Sequence, residues 1–184
     1  LSIYGNYRIA TEKTIFAMPE TAIGFFPDVG GSYFLSRLKK GKGTFLGLTG
    51  HVCNAYDIIE LGIATHYVSS EFLPKIIEEY IEEGDLNCPI QKIEIKSSLK
   101  KNENLIEDIF QENLKDIMIK LKKTKDQFGQ KIYSHLISRC PMSLAVTEKL
   151  INNAKSKSLS ECLENEYQLC QNMVYRNDFD NGVN

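Results

Sequence analysis

Two carboxylates stand eight positions apart in the stretch Met18-Pro19-Glu20-Thr21-Ala22-Ile23-Gly24-Phe25-Phe26-Pro27-Asp28-Val29-Gly30-Gly31. A proline precedes each acid, and a glycine pair follows the second. Proline fixes φ and ends regular structure, so Glu20 and Asp28 are expected at turns rather than inside a strand or helix. Partly buried carboxylates held at turns are the usual material for nucleophilic or general acid/base work. Two of them close together push their pKa values apart, which suits one ionised role and one shared-proton role. Taken alone, such a pair reads first as ordinary loop acids, and the surrounding residues decide.

Other chemistries find little support. Gly30-Gly31 lacks both the Gly-x-Gly-x-x-Gly spacing and the Lys-Ser/Thr of a nucleotide loop. His51, His66 and His135 are scattered, with no His-x-x-x-His or His/Cys cluster, so no metal site is expected. Ser32 and Ser36 have no histidine base nearby, and the Gly-x-Ser-x-Gly elbow of serine hydrolases is absent from the sequence. Arg37 is expected to pair within its own helix, or to stand close enough to Asp28 to tune it. Tyr33 and Phe34 read as core.

The elements that must position the acids follow from periodicity. Residues 7–10 and 14–17 are short β-branched or aromatic runs and read as adjacent strands. Gly30-Gly31-Ser32 opens a helix reaching about residue 39, with Asp28 placed to cap it. Short helices at 41–48 and 55–61 end at Gly50 and Gly62, and a short strand covers 65–68. From residue 71 helical spacing dominates, at 72–83, 105–110, 114–121, 127–138, 143–154 and 159–175. Pro141 suits the first turn of the helix it opens, whereas Ser160 is a weak cap for the next. The lysine-rich segment 90–104 reads as a flexible linker. The division implied is 1–70, an α/β core bearing both acids, and 71–184, a helical region.

Composition agrees with a globular protein. The 184 residues are 42% hydrophobic with a net charge of −2, which argues against nucleic acid as a partner. No apolar run approaches the ~20 residues needed to span a bilayer. The basic runs at 96–101 and 120–125 read as solvated faces. Five cysteines without Cys-x-x-Cys spacing suggest free thiols rather than a disulfide framework or zinc site.

The acid-bearing segment, extended through Ser32-Tyr-Phe-Leu-Ser-Arg37-Leu, resembles the core motif of the crotonase superfamily, and within it the 3-hydroxyisobutyryl-CoA hydrolase branch. Crotonases that hydrate enoyl-CoA carry the glutamate but have glycine where this chain has Asp28; the Pro-Asp-Val-Gly form is the mark of the hydrolase branch. The resemblance continues in Arg8–Phe16, Leu48-Thr49-Gly50, Glu60–His66, Cys140–Thr147, Glu166–Gln171 and Asp178–Val183, and is weakest from about 71 to 138.

The resemblance implies the C-terminal portion of a crotonase-like β-β-α superhelix followed by a helical region. It also implies that the early repeats of the fold, with both backbone N–H donors of the oxyanion hole, lie upstream of Leu1, and that a further helix or tail follows Asn184. The isolated chain is then expected to be inactive or nearly so. Glu20 would attack the thioester carbonyl or activate a water. Asp28 would contact the substrate's 3-hydroxyl and orient water or the departing group. Phe25, Phe26, Gly30 and Gly31 would contact substrate, with the following helix N-terminus facing its acyl or pantetheine part. Coenzyme A enters as part of the substrate, and no separate cofactor is implied. The reaction implied is hydrolysis of 3-hydroxyisobutyryl-CoA, as in valine breakdown, in bacterial cytoplasm or the mitochondrial matrix. Enoyl-CoA hydration or isomerisation, and a non-catalytic scaffold or ribosome-associated role, are the alternatives. The family also implies a homo-oligomer, unless the apolar helix faces pack within their own chain.

Overall fold

A computed structural model describes residues 2–86, 97 and 99–183. In chain order the elements are β1 (Ile9–Ala10), β2 (Ile15–Phe16), α1 (Gly31–Leu35), α2 (Lys42–Thr49), β3 (Cys53–Asn54), α3 (Ala55–Glu60), β4 (His66–Tyr67), α4 (Leu73–Glu83), α5 (Glu103–Ile109), α6 (Leu114–Lys123), α7 (Gln127–Ile137), α8 (Pro141–Ala154), α9 (Leu159–Met173) and α10 (Asn177–Val183). Short 3-10 turns occupy Ser2–Tyr4, Glu20–Ile23 and Lys100–Asn102. The described residues of Leu1–Phe16 and Val52–Lys101 form one compact unit, and those of Ala17–His51 and Asn102–Asn184 form another. The helical second half of the sequence is thus shared: α4 belongs to the first unit and α5–α10 to the second.

In the first unit β1 runs parallel to β4, pairing Ile9 with His66, and β2 runs antiparallel to β3, pairing Phe16 with Cys53. Arg8 ties the β1–β4 end together, its guanidinium donating to the carbonyls of Gly5, Gly62 and Ile63. Asn54 and Asp57 close a reciprocal capping box on α3. Asp57 is fully buried, and the same carboxylate also accepts from the Ser97 hydroxyl at 2.6 Å and the Leu99 N–H at 3.1 Å. A buried carboxylate needs such donors to offset its lost hydration.

The second unit is built on α2, buried along nearly its whole length through Phe45, Leu46 and Leu48. Phe45 meets Phe110 edge-on, with ring centroids 5.1 Å apart. α8 packs on α1 and α2, and Pro141 occupies its first turn, as the sequence suggests. The cap of α9 is Ser158, not Ser160. Its hydroxyl accepts from the Glu161 N–H while Glu161 reaches back to the Ser158 N–H.

Several other expectations need adjustment. The strands are two residues long, because only those pairs enter a ladder. α1 stops at Leu35 rather than near 39. Beyond it the chain tightens into i→i+3 bonds at Arg37 and Leu38, and Lys40 turns away at φ 56°. Arg37 forms no salt bridge within its helix; it donates to the Tyr33, Ala154 and Lys157 carbonyls and stacks on the Tyr33 ring at 3.5 Å. α10 has no counterpart in the periodicity, since Asn-Asp-Phe-Asp-Asn-Gly-Val is poor in helix formers and is held by packing. The linker expected at 90–104 falls largely outside the described residues, as does Cys88; from Leu99 the chain forms a turn and enters α5. Among the described residues no helix is long and apolar enough to cross a membrane.

Candidate active site

Both acids lie in the second unit, at turns. Pro19 supplies the start of the 3-10 turn in which Glu20 is the first residue, and Gly24 ends it in the left-handed conformation at φ 71°. The Glu20 carbonyl accepts from the N–H groups of Gly24 and Phe25, which fixes the backbone on which the carboxyl stands. The carboxyl itself is half-buried, and its Oε2 atom has no hydrogen-bond partner among the described residues. Burial pushes its pKa above the ordinary glutamate value; its own backbone N–H opposes this in part, and the Asp28 charge adds to it.

The turn is locked from outside. A Cβ on Gly24 would sit 2.3 Å from the Asp178 carbonyl oxygen, and one on Gly182 would sit 2.4 Å from the Ile23 carbonyl carbon. α10 and the Glu20 turn therefore meet backbone to backbone, at a distance that only glycine allows.

Asp28 occupies the next turn, where its carbonyl accepts from Gly31 N–H at 2.8 Å. The spacing predicts its side chain as the cap of α1; instead Gly30 is the N-cap residue and no side chain of its own caps the helix. The Asp28 carboxyl is half-buried, and burial raises its pKa, opposed in part by its own backbone N–H. Immediately after it Val29 takes φ 54° and Gly30 φ 82°. The left-handed region is natural for glycine but strained for a β-branched residue, at a cost of about 1–3 kcal/mol.

What holds this loop is a residue to which the sequence assigned no role. Glu166, in the middle of α9 and only 3% exposed, accepts from Gly30 N–H at 2.6 Å through Oε2. Its Oε1 accepts from Ser32 N–H at 3.0 Å and from the Ser32 hydroxyl at 2.5 Å. A signal existed: Cys162, Glu166 and Met173 share the buried stripe of α9, so a glutamate stands where helical spacing demands an apolar side chain.

The other expected site residues are in the same neighbourhood. Phe25 and Phe26 stack at 4.4 Å between the acids, in a core cluster with Leu150 and Met173. Gly30 and Gly31 are buried, and a Cβ on Gly31 would press on Met18 and Pro27 at 3.1 Å. A cavity of about 400 Å³, lined by Ser32, Lys149, Asn153, Cys162 and Asn165 among others, lies along α8 and α9; neither acid lines it. His66 contacts the Thr65 hydroxyl at 2.8 Å and His135 the Thr49 carbonyl at 2.8 Å. No group of three His, Cys, Asp or Glu among the described residues is arranged to hold a metal.

Comparison with known proteins gives this geometry its context. The sequence profile described as Enoyl-CoA hydratase/isomerase matches residues 1–184, the whole chain. The chain belongs to that family. Among curated relatives, the 3-hydroxyisobutyryl-CoA hydrolase, mitochondrial, of Dictyostelium discoideum is 41% identical over 197 aligned positions, and that of Homo sapiens 35%. In both cases all of this chain is covered but 51% of the relative, so the chain spans about half the length of the curated relatives it matches. An enoyl-CoA hydratase structure from Rhodobacter sphaeroides 2.4.1 superposes with a TM-score of 0.91 at 30% identity, covering 100% of this chain and 54% of that one. A carnitinyl-CoA dehydratase from Mycobacterium thermoresistibile gives 0.86 at 29% identity, covering 99% and 55%. The fold of this enoyl-CoA hydratase/isomerase family member is that of crotonases, in agreement with the α/β portion expected from the sequence.

Proposed function

We propose that this protein hydrolyses 3-hydroxyisobutyryl-CoA to the free acid and coenzyme A, with Glu20 and Asp28 as its catalytic carboxylates. The observation that carries the reading is the half-buried Glu20 carboxyl, whose Oε2 is unpartnered and whose pKa is raised by burial and by Asp28. A carboxylate partly withdrawn from hydrogen bonds and water is a stronger nucleophile and base than one on the surface. The names of the relatives support the substrate. Asp28 stands in the Pro-Asp-Val-Gly form by which the sequence resembles the hydrolase branch, and so supports hydrolysis over hydration.

In this reading Glu20 attacks the thioester carbonyl, the tetrahedral intermediate expels the CoA thiolate, and water opens the resulting mixed anhydride. Glu20 acting as a base on water would give the same products. Asp28 contacts the substrate's 3-hydroxyl and orients the water. Phe25 and Phe26 supply the apolar backing between the acids, and Gly30 and Gly31 let the backbone approach the ligand. The developing oxyanion needs N–H donors, each worth roughly 10²–10³ in rate. Coenzyme A enters with the substrate and no separate cofactor takes part. The relatives' names support a mitochondrial location, and the resemblance to crotonases supports a homo-oligomer.

The test is free-thiol release from 3-hydroxyisobutyryl-CoA by the full-length protein, with crotonyl-CoA hydration measured in parallel. Glu20→Gln and Asp28→Asn are each expected to lower thiol release by at least about a hundredfold. Hydration of crotonyl-CoA without thiol release would replace this reading by the hydratase one. A folded protein silent in both assays would leave the scaffold.

A further inference from the structure

We propose that Glu166 is a positioning residue of this site: through Gly30 and Ser32 its buried carboxylate fixes the loop that carries Asp28, and so sets where the Asp28 carboxylate stands. The inference rests on the hydrolase reading, because it acts through Asp28.

Four observations converge. Both Glu166 oxygens are engaged, one by Gly30 N–H and the other by the Ser32 N–H and hydroxyl, and these donors begin two residues after Asp28. Asp28 does not hold itself in place by capping α1. Between them Val29 and Gly30 run through consecutive left-handed conformations, which a free loop ending in a β-branched residue would leave. Finally, Glu166 arrives from α9, which places an anchor from distant sequence on the loop. An apolar side chain on that stripe would escape the cost of burying a carboxylate but would leave the Gly30 and Ser32 donors without acceptors. What a carboxylate adds is direction: two acceptor oxygens that fix a short, strained segment to within a fraction of an ångström, the tolerance on which catalytic geometry depends.

The test is a double-mutant cycle in the full-length protein, following thiol release from 3-hydroxyisobutyryl-CoA. Glu166→Gln keeps the volume but turns an amide N–H₂ toward one of the donors. It is expected to lower kcat by about 10–100-fold with KM changed less than about threefold, because orientation is lost and ground-state binding is not. In the Asp28→Asn background the same change is expected to cost less than about threefold, since the group it positions is already gone. Ser32→Ala removes one hydroxyl donor and should show a smaller loss that also vanishes with Asp28→Asn. It carries the cycle if Glu166→Gln does not fold.

Undiminished kcat in a folded Glu166→Gln protein overturns the proposal. So does an equal fold-loss with and without Asp28, the behaviour of a purely structural residue. If Glu20→Gln and Asp28→Asn themselves leave thiol release intact, the hydrolase reading fails and takes this one with it. If they abolish release while Glu166→Gln does not lower kcat, only the positioning role fails.

Discussion

The 3-10 turn of Glu20 and the middle of α9 each withdraw a glutamate from water, and they treat it in opposite ways. Glu166 receives three donors on its two oxygens. Glu20 is left with Oε2 unpartnered and a charge repelled by a neighbouring acid. The same side chain is thus satisfied in one place and kept wanting in the other. A saturated carboxylate serves to hold backbone, whereas an unsaturated one retains the lone pairs and the basicity that chemistry uses. The fold holds the second steady by the glycine contacts around its turn, while the first fastens the loop of Asp28, so the cost of an unsatisfied group is met by its surroundings.

The sharpest way to break this contrast is to truncate both residues. Glu166→Ala leaves two backbone N–H groups and a hydroxyl buried without acceptors, and each such group costs about 1–3 kcal/mol. We expect a loss of about 3 kcal/mol in denaturant unfolding, allowing for the desolvation that the carboxylate no longer suffers. Glu20→Ala removes a carboxyl whose Oε2 has no hydrogen-bond partner among the described residues, and should cost less than about 1 kcal/mol. Equal losses would mean that the two sites are energetically alike.

A smaller effect concerns pH. Because burial and then Asp28 raise the Glu20 pKa, the acid limb of kcat/KM should lie above the ordinary carboxylate range. Asp28→Asn removes the like charge, so whatever activity remains should show that limb at lower pH. An unmoved limb would show that the two acids do not sense each other.

The subtlest effect is on stability. A carboxyl whose pKa is higher folded than unfolded disfavours the fold when ionised, and stability returns as pH falls through the folded value. Glu20→Gln should therefore raise Tm at neutral pH, with the advantage shrinking as the medium is acidified and Glu20 takes up its proton. A Tm gain that persists unchanged into acid would assign the effect to packing instead.

The sequence disclosed these two regions unequally. Glu20 and Asp28 were legible because proline and glycine punctuate them locally, and local chemistry is what a sequence displays. The helices from α4 to α9 were legible for the same reason, through spacing and caps. Glu166 was visible only as a polar residue on an apolar stripe, and its partners lie more than a hundred positions away, at Gly30 and Ser32. The left-handed turn at Val29 was hidden too, since no propensity favours it and tertiary bonds impose it. α10 escaped detection because its residues are poor helix formers whose order derives from contact.

That last helix has a further consequence. Gly24 and Gly182 allow two stretches of main chain to rest on each other without side chains between them, like a latch with no spring. The Glu20 turn is thereby fastened by the far end of the described chain. A proteolytic nick, a bulky fusion or fraying near Asp178 would loosen Glu20 without touching it, and amide protons at 23–25 and 178–182 should exchange as one opening event.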